Sequence, residues 1–450
     1  MIDDWLSAAS GETPDTPFVT VGGMSHSFAD VQAEVALLAG GLVAAGIGPG
    51  AVVGLWTTNS LVSIVTLLAI ARSGATCQLI NTRLSAAEAA AQLQEAGAVG
   101  VLGGGPDLGV PRIDTTAGPP LDAMVHESND PCLLVFTSGS SGRPTGVVLT
   151  WENLRASVRA SAEHLGHTAA DRWLAVLPLF HVGGAAIVFR SLWCRSEMVL
   201  HERFDAPSVA ADLGRCTIAS LVPTTLAAVL DAHAGPYAGM KALLVGGGPA
   251  PQHLLDRAAA AGLPVLSTYG MTETASQIAT ARLSDVAMRR VVPIPGAQLR
   301  LSPDGEVLVR GPMVATRFLG RPVRSVDQWF ATGDLGQIDA QGRLQVTGRL
   351  SDVIISGGEN VMAGEVERAL RSVPGVDDAI VVGVTDARWG EVVAAAVSGE
   401  ADLASVEAAL RDRLAGYKVP RRWMAVSEIP LTSIGKPAKQ AVRAMFEEAS

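Results

Sequence analysis

Aromatic side chains make up only 4% of the 450 residues, and no stretch of the chain is a run of lysine and arginine. With a formal net charge of −10, little is left to stack on bases or to follow a phosphate backbone, so a nucleic-acid partner is not expected. Cysteine is sparse as well: Cys77, Cys132, Cys194 and Cys216 have neither the paired spacing of a zinc site nor the density of a disulfide scaffold. That usage suits a reducing compartment. Long apolar runs are missing, since the longest, Leu61 to Ala71, is broken by Ser63 and Thr66 and is too short to span a bilayer. The opening MIDDWLSAAS is acidic where an export or transit signal would be basic. A cytoplasmic protein without stable membrane insertion is the expectation. Internal repeats and low-complexity tracts are not found.

What is present is an apolar, moderately charged chain, 48% and 17% respectively, long enough for two or three packed domains. Residues 27–46 carry apolar side chains at helical spacing behind a serine start signal and end on Gly46. Turn plus buried strand follows over 48–58, then a helix over 61–73, a strand at 77–80, a helix at 86–96 and a strand at 99–102. The alternation resumes after residue 150: helix 151–165, strand 173–177, helix 183–192, strand 198–200, helix 207–213, strand 218–222, helix 224–231, strand 242–245. Such alternation predicts largely parallel sheets covered on both faces. From Gly296 the texture changes to short strands at 298–301, 306–310 and 343–347, separated by turn residues. The last segment has a βαββαβ rhythm over 353–356, 363–372, 376–384, 391–397, 403–414 and 423–426. The expected fold is therefore α/β. It has a large N-terminal domain, residues 1–349, made of two α/β sheet layers and a small β subdomain, and a small mobile α+β C-terminal domain, residues 350–450. The hinge falls at Leu350-Ser351-Asp352.

The chemistry centres on VFTSGSSGRPTGVVLT, residues 135–150, where five hydroxyl side chains and three glycines fall within ten residues. Gly139, Gly142 and Gly146 allow a backbone that turns several N–H groups into one concave surface, and Thr137, Ser138, Ser140 and Ser141 add neutral donors. A polyphosphate fits such a loop. It is not a Walker A loop, because no Gly-Lys-Ser/Thr follows the glycines and Thr145 comes after Pro144. Read alone, the stretch is equally an exposed Gly/Ser hairpin.

Five further stretches stand in order downstream: LPLFHVGG (177–184), VGGGPAP (245–251), STYGMTET (267–274), TGDLG (332–336) with GRLSDVIISGGENV (348–361), and PLTSIGKPAKQ (430–440). Together with the hydroxyl-rich loop, the ordered set resembles the adenylate-forming superfamily of acyl-CoA synthetases, adenylation domains and luciferases, over essentially the whole chain. The resemblance implies ATP, Mg²⁺ and coenzyme A as cofactors: a carboxylate attacks the α-phosphate to give an acyl adenylate and pyrophosphate, and a thiol then takes the acyl group. It implies that Thr137 to Gly142 hold phosphates, that Thr272 reaches a phosphate oxygen and that Glu273 holds the metal. Gly247, Gly248 and Pro249, with Tyr269, Gly270 and Met271, would face adenine. Asp334 would accept from the ribose hydroxyls with Arg349 beside it. Lys436 would supply the catalytic positive charge. In the superfamily the small C-terminal domain rotates between the two half-reactions, which places Ser351 at the hinge and Gly357 and Gly358 on the thiol side. Two positions depart from the superfamily pattern, in which lysine is usual at 145 and aspartate or lysine at 351. Taken singly, Asp334 also reads as a turn residue, Glu273 as a helix-start charge and Lys436 as an exposed loop lysine.

Acid specificity is the least legible feature. His181 is either a gate to the acid pocket or a satisfied core histidine. Gly183 and Gly184 would leave room for a planar ligand. PLFHVGG, YGMTETASQIAT and SGGENV followed by EVE most resemble the o-succinylbenzoate–CoA ligases of menaquinone biosynthesis, which activate one carboxylate of a diacid. The second carboxylate then needs partners, because a buried unpaired charge is costly. Ser276, Gln277 and Thr280 offer neutral donors, and Arg190, which reads as a surface residue of its helix, is the available cation. Ligation of another aryl or aliphatic acid, loading of a carrier protein and a non-catalytic nucleotide-binding role remain as alternatives, and a homodimer is left open.

Overall fold

The computed structural model describes residues 1–114, 118–138, 144–233, 235–356, 359–386, 389–411, 413–431 and 437–449. They form two compact units, Met1–Leu299 with Val309–Phe330, and Arg300–Leu308 with Ala331–Ser450. Both mix strands and helices, the α/β class expected.

The first unit is built on two sheets. In one, strands Glu197–Leu200, Arg172–Ala175, Ile218–Leu221, Ala242–Val245 and Val265–Tyr269 run parallel side by side. In the other, Gly100–Gly103, Val52–Trp56, Thr76–Ile80 and Pro131–Ser138 run parallel, and Pro144–Thr150 turns back antiparallel. The apolar run noted above is the helix Leu61–Arg72, buried at every residue from Ser63 onward. A helix that is apolar all round belongs in a core, and this one shares its cluster with Val53 and Leu133 of one sheet and Trp173 and Met198 of the other. Capping boxes start three of the helices: Ser27 with Asp30, Ser85 with Glu88, and Thr150 with Asn153. Periodicity gave no sign of helix Trp5–Glu12 or of hairpin Pro17–Val21/Met24–Ser27, whose first strand extends the larger sheet through Val19 opposite Met198.

Strands Gln298–Leu301, Glu306–Arg310, Phe330–Ile338 and Leu344–Arg349, most of whose residues belong to the second unit, form one sheet. A second sheet is organised on Gly390–Gly399, a strand buried on both faces. Period-2 alternation splits it cleanly. Val393, Ala395 and Val397 pack with helices Ala363–Arg371 and Leu403–Arg411, whereas Val392, Ala394 and Ala396 pack with Val442 and Phe446 of helix Lys439–Glu448. Leu350–Asp352 is one 3-10 turn, and Asp352 accepts an ion pair from Lys439 at 2.7 Å. Among the described residues no helix is long and apolar enough to cross a membrane.

Candidate active site

Two parallel strands end side by side in the first unit and set out most of its candidate residues. Val245 lies opposite Ser267, so Gly246–Pro249 and Tyr269–Met271 leave the same edge of the sheet together. Ligands of open parallel sheets bind outside these carboxyl ends. Gly247, Gly248 and Pro249 are exposed there, and Gly247 takes a positive φ of 77°. Gly246 has its own reason: a side chain would press on Thr268.

After Tyr269 the chain makes a 3-10 turn, Thr272–Thr274, and returns as Ala279–Thr280, with Tyr269 opposite Ala279. Glu273 therefore sits in a tight turn, not at the end of a strand. Thr272 and Glu273 are half-buried, while Thr274 is fully buried, with its hydroxyl between the N–H and the carbonyl of Met271, both at 3.0 Å. The reversal is strained: Ala275 has φ 49° and Ser276 φ 93°, a region that non-glycine residues avoid. Its surroundings hold it. Ser157 donates to Ala275 O at 2.7 Å, and Ala315 N donates to Glu273 O at 2.7 Å. A Cβ on Gly270 would overlap the Ser276 carbonyl, so no other residue fits this turn. Gly270→Ala is accordingly expected to lower stability by about 2–3 kcal/mol and to remove activity; an unfolding curve like the wild type's would mean that the turn moves aside freely.

Helix Trp151–Leu165 couples this turn to the hydroxyl-rich loop. It starts at the end of strand Pro144–Thr150 and carries Ser157 and Ser161, and the strand itself packs beside Thr272–Thr274. Thr137 stands at the inbound end of the same hairpin, 3.4 Å from the Thr145 carbonyl, and Ser138 pairs with Pro144. Gly139, Ser140, Ser141 and Gly142 lie outside the described residues. Among the described residues no group of three His, Cys, Asp or Glu side chains is arranged for a metal. Glu273 offers a single carboxylate, which fits Mg²⁺ that keeps waters and phosphate oxygens as its remaining ligands.

On the acid side the structure corrects the expectation for Arg190. It is 2% exposed, not a surface residue. Its guanidinium lies over Trp173 at 5.3 Å, and Nη2 donates to Ser276 Oγ at 3.3 Å. Nε has no partner, no carboxylate pairs with the group among the described residues, and burial pulls its pKa down to about 10. Gln277, by contrast, is fully engaged. Its carbonyl accepts from Ser161 at 2.7 Å and its amide donates to Thr280 at 2.8 Å and Thr268 at 3.3 Å, so Gln277 and Thr280 position the strand and hold no donor in reserve. His181 caps helix Val182–Cys194 without a side-chain cap bond and meets Phe180 edge-on at 4.7 Å. Gly183 is half-buried beside Leu177, and Gly184 is needed because a side chain would overlap the Pro178 carbonyl, which is a packing reason and not ligand room. Asn59 is a positioning residue with no sequence signal. Buried at 8% exposure, it binds Leu179 N, Leu177 O and His201 O and so fixes the segment leading to His181.

In the second unit Asp334 is 5% exposed and pairs with Arg349, its register partner, through Nε at 2.9 Å. Glu306 accepts from Gly333 N at 2.8 Å, and Thr332 donates to Val307 O at 2.8 Å, so the Thr-Gly-Asp bend is held from both sides. Ser351 lies in the 3-10 turn described above; Gly357, Gly358 and Lys436 lie outside the described residues.

The chain belongs to the AMP-binding enzyme family. The family profile matches residues 6–319, and that of the AMP-binding enzyme C-terminal domain matches residues 365–436. The chain is 34% identical over 477 residues to a 2-succinylbenzoate–CoA ligase of Bacillus cereus, with 99% of each chain covered. Against the ligase of the same name from Enterococcus faecalis it is 34% identical over 478 residues, covering 99% of this chain and 98% of the relative. Among solved structures, o-succinylbenzoate CoA synthetase from Bacillus subtilis, in complex with the acyl-adenylate intermediate OSB-AMP, matches with a TM-score of 0.90, 30% identity and 98% of both chains covered. ATP-bound MatB from Rhodopseudomonas palustris matches at 0.91 with 25% identity and 99% of both chains covered.

Proposed function

We propose that this enzyme is an ATP-dependent acid–CoA ligase acting on o-succinylbenzoate in menaquinone biosynthesis. The substrate carboxylate attacks the α-phosphorus of Mg-ATP and expels pyrophosphate; the coenzyme A thiol then attacks the acyl carbonyl and expels AMP. The observation that carries the diacid is Arg190. A buried guanidinium with no anionic partner among the described residues, bonded to Ser276 in the turn that follows Thr272 and Glu273, suits a second carboxylate. A monocarboxylic acid would leave that charge buried and unmatched.

The family resemblance supports the remaining roles. Thr137 and Ser138, with the loop to Gly142, cradle the outer phosphates. Thr272 donates to a phosphate oxygen, and Glu273 holds Mg²⁺, which neutralises phosphate charge when bound. Gly247 to Pro249 and Tyr269 to Met271 hold adenine. Asp334, oriented by Arg349, accepts from the ribose hydroxyls. His181 and Gly183 border the acid. Lys436 supplies charge to the first half-reaction, residues 350–450 move as a domain about Ser351, and Gly357 and Gly358 face the thiol. A cytoplasmic location belongs to the same proposal, and so does a homodimer, to be read from the mass of the purified enzyme by light scattering.

The test is pyrophosphate release with Mg-ATP against a panel of carboxylic acids, with and without coenzyme A. Release with o-succinylbenzoate and a thioester product is expected. Release with another acid alone discards the substrate; adenylate without thioester points to a carrier protein as acceptor, and no release with any acid overturns the ligase reading.

A further inference from the structure

Trp173 is wholly buried, and its strand fixes it in place, opposite Ile218 on one side and Met198 on the other. A buried tryptophan ordinarily finds a partner for its indole N–H. This one has none, a cost that phenylalanine in the same place would avoid. The reason for an indole here lies in its face.

The guanidinium of Arg190 rests on that face at 5.3 Å. An aromatic face attracts a cation through its quadrupole, most strongly where water is excluded, and does so without neutralising the charge. A carboxylate in the same place would cancel the charge, and an incoming anion would have to compete with it. The neighbouring ionisable groups leave Arg190 uncommitted. Asp171, two residues before Trp173, is engaged by Lys241 at 3.2 Å, by Thr168 N at 2.8 Å and by Thr217 Oγ1 at 2.8 Å. His167 meets Trp173 edge-on at 5.1 Å and bonds Ser196 Oγ at 2.8 Å; burial pulls its pKa down to about 4, so it adds no second cation at neutral pH. Beyond the ring, Arg190 Nη2 meets the Ser276 hydroxyl at 3.3 Å, in the turn that Ser157 holds through Ala275 O. A sheet strand and a clamped turn thus hold the guanidinium, both through neutral groups.

We propose that Trp173 is a positioning residue: its ring stands in for a counter-ion to Arg190 and keeps the guanidinium at the Ser276 turn with its charge available to the second carboxylate of the acid. The proposal rests on the second-carboxylate reading above. Tryptophan has the strongest face of the aromatic side chains, phenylalanine keeps a weaker one and leucine has none, so the size of the effect should follow that order.

The test measures initial rates of pyrophosphate release with o-succinylbenzoate and Mg-ATP. It compares the wild type, Trp173→Phe, Trp173→Leu, Arg190→Met and the two double variants that combine each Trp173 change with Arg190→Met, each beside a thermal melt. Trp173→Leu is expected to raise the KM for o-succinylbenzoate about tenfold and Trp173→Phe about threefold, with the KM for Mg-ATP within about twofold of wild type. In the Arg190→Met background neither change should raise the KM further, because a residue that acts through Arg190 then has nothing to act on. A ring that merely fills the core would cost the same in both backgrounds, or would raise both KM values alike; either result overturns the proposal. Trp173→Phe keeps a ring in the core and carries the test if the leucine variant does not fold, and an unchanged KM for o-succinylbenzoate there also overturns it. The two readings fail in different ways. An Arg190→Met variant with the wild-type KM, or a wild type that releases no pyrophosphate with o-succinylbenzoate, ends the second-carboxylate reading and the proposal with it. A raised KM in Arg190→Met without one in the Trp173 variants ends the proposal alone.

Discussion

Arg190→Met is expected to raise the KM for o-succinylbenzoate by roughly 10- to 100-fold, while the variant melts no lower than the wild type. The two halves have one cause. A guanidinium at 2% exposure, with Nε unpartnered and only a neutral hydroxyl accepting from Nη2, carries a desolvation cost that no carboxylate of the described residues offsets. The fall of its pKa to about 10 under burial reports the same cost. In the ligand-free enzyme, removing the charge relieves that cost, and methionine keeps an apolar contact with Trp173. With substrate bound, the missing charge-assisted hydrogen bond is worth about 1.5–3 kcal/mol, which sets the size of the KM effect. Arg190→Lys should recover only part of it, because a point charge replaces a planar fork. The checks are initial rates with o-succinylbenzoate and with a monocarboxylic aryl acid, beside a thermal melt. A variant that melts lower and loses both acids equally would make Arg190 a structural residue and end its assignment to the second carboxylate.

The case also marks where sequence runs out. Helix Val182–Cys194 is apolar enough to be buried on most sides, yet a single arginine within it reads as the residue facing water. Only the sheet strand carrying Trp173 and the strained turn at Ser276 reveal that it points inward. Hairpin Pro17–Val21/Met24–Ser27 is missed because its strand is completed by pairing with Glu197–Leu200. Local information was sufficient elsewhere. Gly390–Gly399 alternates between two cores, and Leu61–Arg72 is apolar all round, so each could be read from its own period. The candidate site divides along the same line. Thr272, Glu273, Asp334 and the glycine turn read as motifs, whereas Ser157 and Ser161, which bond to Ala275 and Gln277 after the Thr-Glu-Thr turn, and Asn59, which bonds to the segment before His181, act over long range and belong to no motif.

Lys436→Ala is expected to slow adenylate formation by about 100-fold or more and to leave thioester formation from preformed acyl adenylate within a few-fold of wild type. The asymmetry comes from where charge develops. Attack of a carboxylate on the α-phosphorus brings an anion onto an already anionic triphosphate, so a cation at that centre stabilises the transition state more than the ground state. In the second step a thiol attacks an acyl carbonyl and AMP departs as a good leaving group, with no second anion forced onto phosphorus. Lys436→Arg keeps the charge but changes its reach and shape, and should fall between wild type and alanine. The first step is followed by single-turnover pyrophosphate release with Mg-ATP and o-succinylbenzoate. The second is followed by mixing synthetic o-succinylbenzoyl adenylate with coenzyme A. Adenylate formation at the wild-type rate would remove Lys436 from the chemistry. An equal loss in both steps would assign it to holding its segment in place, because a residue that serves one transition state cannot slow two whose charges develop at different atoms.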